Sequence, residues 1–151
     1  MAGRLTHPFA TRIRVRYSEV DRMGLLYHVN HLEYFEVARS EWIRQFWRSY
    51  RDIEDEGFAL VVIEATINYR RPAYYDDELL VEISELDWGR SRITFNYLIH
   101  RVGESEPVCS GRTQHCFVDR SGKVVKIPDP LRIKLDNACK ISDAEASSEC
   151  S

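Results

Sequence analysis

One long amphipathic segment followed by four strand-like runs predicts an α+β domain built on a mostly antiparallel sheet. Three observations carry this reading. Residues 30 to 47 show the three-and-four apolar spacing of a helix. After Gly57 the pattern changes to β-branched and aromatic runs. No helical pattern lies between those runs, so the crossovers of a doubly wound parallel sheet are missing.

Taken in order, Thr11 to Tyr17 alternates polar and apolar residues, with Ile13, Val15 and Tyr17 on one face, which predicts a half-buried strand that delivers Asp21 to a sheet end. Leu32, Phe35, Trp42, Ile43 and Phe46 define the apolar stripe of a helix from Asn30 to about Trp47. Asn30 followed by Glu33 resembles a capping box with Asn in place of Ser or Thr. Strands are predicted at Ala59 to Tyr69, Glu78 to Asp87, Ser91 to Arg101 and Pro107 to Asp119. Turn signals separate them at Arg71-Pro72, Trp88-Gly89, Val102-Gly103-Glu104 and Ser121-Gly122. Pro128-Asp129-Pro130 should stop the last strand, with a short closing turn at Leu131 to Leu135. The expected organisation is one domain over residues 1–136 and a polar, acidic, disordered tail over 137–151.

A chain of 151 residues suffices for one substantial core, and its 44% apolar and 30% charged composition is that of a globular protein. A net charge of −3 gives no global reason to expect nucleic acid or an anionic membrane as partner. The longest apolar run, Phe58 to Ile63, is too short to span a bilayer, and the N-terminus lacks the apolar stretch of a secretory signal. The expectation is a cytoplasmic protein without membrane insertion. Cys109, Cys116, Cys139 and Cys150 show no metal-ligand spacing and are read as unpaired thiols, with Cys109 and Cys116 on opposite faces of one strand.

The chemistry concentrates in residues 17 to 39, YSEVDRMGLLYHVNHLEYFEVAR. Asp21 is a carboxylate at a sheet end, and Gly24 permits a positive φ or a close backbone approach. Asn30 is placed to cap the helix that follows. The free N–H groups of a helix start favour developing negative charge. A carboxylate beside such a site suggests acyl transfer or hydrolysis.

This stretch resembles the 4-hydroxybenzoyl-CoA thioesterase family of hotdog-fold acyl-CoA thioesterases, particularly the small bacterial branch linked in some species to the Tol-Pal envelope system. The matching residues are Tyr17, Asp21, Gly24, Leu25, Leu26, Tyr27 and His28, then Tyr34, Phe35, Glu36 and Arg39. Tyr69-Arg70-Arg71-Pro72-Ala73 with Asp77 forms a second match, and the likeness spans roughly residues 11 to 135. His28-Val29-Asn30 also echoes acyl-ACP thioesterases, but His28 stands seven residues after Asp21 where that pattern has four. The resemblance implies a curved antiparallel sheet around one long central helix, and an acyl-CoA thioesterase needing no cofactor. It makes Asp21 the catalytic carboxylate, as nucleophile or as base to water. It gives the amides of Tyr27 and His28 the oxyanion, with the His28 imidazole as a second catalytic group. Tyr17, Gly24, Tyr27 and Glu36 would form the substrate pocket. It also implies a homodimer or tetramer, with Gly57-Phe58 to Ile63 supplying a partner's wall.

Several competing readings accompany it. Asp21 alone could be a turn former. His28 and His31 have a spacing that suits a metal, but no third ligand is evident, so no metal is expected. Glu36 and Arg39 fall inside the apolar arc, which suggests a buried i,i+3 pair or a place at the site. Arg70, Arg71, Arg90, Arg92 and Arg112 lie at strand ends or on strands, and arginine forks suit the phosphates of coenzyme A. The resemblance favours Arg90, Ser91 and Arg92 for the nucleotide. A dehydratase would carry an active-site His followed by Phe-Pro-Gly, which is absent. A non-catalytic acyl-CoA-binding or envelope-associated module remains the alternative from another class.

Overall fold

The computed structural model describes residues 2–149. Strand β1 (Gly3–Arg14) is followed by a 3-10 turn (Tyr17–Glu19), α1 (Asn30–Phe46), α2 (Tyr50–Asp55), β2 (Ala59–Tyr69), β3 (Glu78–Trp88), β4 (Arg92–Arg101), β5 (Pro107–Val118) and α3 (Asp129–Glu149). The strands form one sheet in the order β1-β3-β4-β5-β2, and every neighbouring pair is antiparallel. The expected α+β class and antiparallel sheet are observed.

Alternation explains which face is which. Ile93, Phe95, Tyr97 and Ile99 of β4 are buried, and their register partners His115, Thr113, Gly111 and Cys109 on β5 share that face. Helix α1 lies on it. Phe35 stacks on Tyr97 with centroids 4.2 Å apart, and Trp42 meets Phe95 edge-on at 5.5 Å. Gly111 is required by close approach, because a Cβ there would stand 2.3 Å from the Phe35 ring. The opposite face is polar and cross-strand paired, as in Arg4 with Glu85, Arg12 with Glu78, and Glu82 with both His7 and His100.

Within the core, the hydroxyl of Thr113 meets Tyr97 at 2.6 Å and the His115 ring at 2.9 Å. Burial, with the Arg39 charge second, pulls His115 down to about 3. It is therefore neutral at pH 7.

Four expectations are corrected. First, β1 begins at Gly3 and ends at Arg14; Val15 is buried, but Tyr17 stands on the 3-10 turn, 79% exposed. The turn rotates Tyr17 out of the alternation. Second, Asn30 is already inside α1; Val29 holds the cap position without a side-chain bond, and the Asn30 amide donates to Glu33 at 3.0 Å instead. Third, Glu36 is exposed and forms no ion pair with Arg39. Arg39 is half-buried, with its charge beside Tyr50, Tyr97 and His115. Fourth, residues 137–149 are helical rather than disordered. Pro130 suits a first helical turn, and Leu131 and Leu135 are buried while Ala138 and Cys139 pack against the core. Trp88 donates to Asp136 at 3.3 Å and Arg132 to the Gly89 carbonyl at 2.7 Å, which pins α3 to the β3–β4 hairpin.

Cys109 and Cys116 are buried free thiols and Cys139 a half-buried one; Cys150 lies outside the described residues. No helix among the described residues is long and apolar enough to cross a membrane.

Candidate active site

The loop from Glu19 to Asn30 is built by backbone hydrogen bonds within itself and to the segment after β2. Leu26 N–H donates to the Ala73 carbonyl at 2.7 Å, tying the loop to the segment after β2. Tyr27 N–H donates to Glu19 O at 2.9 Å, and Asp21 N–H to Leu25 O at 2.8 Å, closing a tight turn. Gly24 sits in that turn at φ +80°, with nothing within 4 Å of a would-be Cβ, so left-handed freedom rather than close approach requires glycine.

Asp21 is exposed at this turn. One carboxylate oxygen accepts the N–H of Met23 at 2.8 Å and of Leu25 at 3.1 Å, while the other accepts from no described residue. That division matters chemically: the first oxygen fixes the group's orientation, and the second keeps its lone pairs.

At the helix start, Tyr27 O accepts Asn30 N–H at 2.9 Å, and His28 O accepts the Tyr69 hydroxyl at 2.7 Å and the His31 ring at 3.1 Å. Of the two expected oxyanion amides, Tyr27 gives its N–H to Glu19, while the His28 N–H donates to no described residue. The His28 imidazole is exposed and lies edge-on to Tyr27, 4.5 Å between centroids. A cleft of about 230 Å³ opens here, lined by Leu25, Leu26, His28, His31, Tyr69, Arg70, Arg71, Pro72 and Ala73. Arg71 pairs with Glu106, while Arg70 has no ion-pair partner among the described residues.

The remaining expected site residues lie elsewhere in the chain. Tyr17 is edge-on to Tyr75 at 5.2 Å, outside the cleft, and Glu36 faces solvent along α1. Arg90 and Ser91 line a larger groove of about 950 Å³ with Trp47, Phe58, Lys123 and Lys126. Trp47 follows the last residue of α1, so this groove is removed from the helix start beside the cleft by roughly the length of a 17-residue helix, about 25 Å. Arg92 is exposed at the first position of β4. Among the described residues no group of three or more His, Cys, Asp or Glu could hold a metal ion.

The thioesterase-like superfamily model matches residues 15–135, which includes the Asp21 turn, α1 and the whole of β2 to β5. The chain belongs to this superfamily. An acyl-CoA thioester hydrolase of Escherichia coli, YbgC, is 34% identical over 126 residues, covering 83% of this chain and 86% of its own. The crystal structure of a protein from Aquifex aeolicus is 34% identical with a TM-score of 0.77, over 85% of this chain and 99% of that one. A DHNA-CoA thioesterase from Staphylococcus aureus is 26% identical with a TM-score of 0.76, over 93% of each chain. The hotdog fold expected from the motif resemblance is thereby established.

Of three further groups at this thioesterase-superfamily site, Glu19 escaped the sequence reading, His31 was weighed there only as a metal ligand, and Tyr69 entered only as part of the second motif match. Glu19, nearly fully buried, accepts the Arg16 N–H at 2.8 Å and the Tyr34 hydroxyl at 2.9 Å. Burial raises its carboxyl, yet these bonds and the Arg16 guanidinium outweigh burial and hold it below the usual carboxylate range. It is a buried anchor for the loop. His31 is buried, and because the His28 carbonyl only accepts, His31 Nδ1 carries a proton; burial lowers the ring's affinity for a second one. Tyr69 reaches the loop from β2. The only sequence signal for Glu19 is its position two residues before Asp21 in an otherwise polar turn.

Proposed function

We propose that this protein is an acyl-CoA thioesterase that hydrolyses a thioester to a carboxylic acid and free coenzyme A, without a metal or other cofactor. The observation that carries it is the Asp21 carboxylate, oriented through one oxygen and free at the other, in the turn that leads to an unpaired helix-start amide. In this reading the free oxygen attacks the thioester carbonyl or deprotonates water. The His28 N–H holds the oxyanion, a single donor of this type contributing about 2.7–4 kcal/mol. Thiolate departs without metal assistance. Release of thiol from a panel of acyl-CoAs, followed over many turnovers, tests the reading and identifies the acyl group; no turnover with any of them would refute it.

Asp119 supplies the observation behind a second reading. Its carboxylate accepts the N–H groups two and four residues on, Ser121 at 2.9 Å and Lys123 at 3.1 Å, the pattern that Asp21 makes. Asp21 as a turn former alone would leave an acyl-CoA-binding module without hydrolysis.

The proposed active unit is a homodimer or a higher assembly of it. Strand β2 is a sheet edge on which Val61, Val62 and Ile63 are all exposed, an unpaired apolar edge that a second copy would cover. Light scattering at assay concentration should show a dimer or tetramer. A monomer with full activity would overturn the two-subunit site.

For the nucleotide, Arg70 and Arg71 flank the cleft within one subunit, whereas Arg90, Ser91 and Arg92 serve the same substrate only across a subunit boundary. Replacing Arg90 and Arg92 with Ala is expected to raise KM for acyl-CoA and leave hydrolysis of a minimal acyl-pantetheine nearly unchanged. Equal damage with both substrates would refute that assignment. The proposed location is the cytoplasm, in keeping with the free thiols of Cys109 and Cys116, and cell fractionation tests it.

A further inference from the structure

Two side chains from distant parts of the chain converge on one carbonyl at the start of α1. The Tyr69 hydroxyl, at the end of β2, donates to His28 O at 2.7 Å, and the Nδ1–H of His31 donates to the same oxygen at 3.1 Å. Their rings meet edge-on with centroids 4.9 Å apart, and both line the cleft. Neither group has a role in the hydrolysis described above. The other peptide flanking His28 is also held from its carbonyl end, since Tyr27 O accepts Asn30 N–H at 2.9 Å. In a trans peptide the C=O and N–H point in opposite directions, so this bond turns the His28 N–H away from the helix.

We propose that Tyr69 and His31 are positioning residues, which clamp the His28 carbonyl so that the neighbouring His28 N–H stays aimed at the oxyanion. This rests on the thioesterase reading. Both planes that meet at the His28 Cα are then fixed, and the 28–29 carbonyl, which would repel a developing oxyanion, is kept bound elsewhere. Burial raises the Tyr69 phenol above its ordinary value, so the donor persists across the assay range. Because Tyr69 ends the exposed edge strand, the clamp also ties the oxyanion amide to the strand a second subunit would cover.

Tyr69→Phe removes the hydroxyl and keeps the ring against His31. The expected result is a kcat lower by about three- to tenfold, the value of one neutral hydrogen bond, with KM and melting temperature nearly unchanged. Wild-type kcat in this variant would overturn the clamp. So would a loss of kcat that travels with a raised KM and a lowered melting temperature, the mark of a merely structural residue. The unmodified protein is assayed alongside. Turnover by it with no change in Tyr69→Phe removes the clamp alone, whereas no turnover by it removes the thioesterase reading and the clamp together.

Discussion

Asp21→Asn is expected to lower kcat by at least about 10²-fold, the lower end of what a positioned base contributes. The substitution is nearly isosteric, and the amide oxygen can still accept the Met23 and Leu25 N–H bonds at 2.8 and 3.1 Å that hold the turn. What is lost is the charge and basicity of the second oxygen, which has no partner among the described residues. Because the turn survives, melting temperature and oligomeric state should change little, and the catalytic loss should appear in kcat rather than in KM. A folded Asp21→Asn protein with wild-type turnover would show that Asp21, like Asp119, only shapes a turn. Thioester chemistry would then have to come from another group of the cleft.

Phe35→Ala should cost about 3–5 kcal/mol of stability, the range for deleting a buried aromatic ring. Phe35 is fully buried, stacked on Tyr97, and fills the space that Gly111 leaves open on β5. For a chain of this size each kcal/mol moves the melting temperature by roughly 2–4 °C, so a fall on the order of 10 °C is expected. Gly111→Ala attacks the same contact from the other side and should destabilise by about 1–3 kcal/mol, since the ring cannot yield without disturbing its stack. Both variants are compared by denaturant unfolding at one protein concentration, because self-association would add to apparent stability. A Phe35→Ala protein within about 1 kcal/mol of wild type would contradict this packing.

Patterns of short range were legible in the sequence. The run Ala59 to Tyr69 coincides with β2, and the stripe from Asn30 onward with α1, because alternation and three-and-four spacing are imposed locally by which face is buried. The Asp21 and Gly24 turn was legible for the same reason, since a positive φ selects glycine within a few residues. The helix over 137–149 was not. Asp129-Pro130 reads equally as a strand stop and as a helix opening, and the sparse apolar residues Leu131, Leu135 and Ala138 acquire meaning only once a core exists for them to cover.

The sequence by itself determined α1, the strands β2 to β5 with their antiparallel character, and the residues of the Asp21 turn, since each rests on a pattern among neighbours in the chain; α2 and α3 were not among them. Tertiary structure decided what depends on contacts between distant segments. It took the Tyr27 amide for Glu19, turned Glu36 to solvent and set Arg39 beside His115. It separated Arg70 and Arg71 from Arg90 and Ser91, and brought Tyr69 to the His28 carbonyl 41 residues earlier. A hydrogen bond across such a separation leaves no periodic trace in sequence, because it depends only on where the fold brings the two segments.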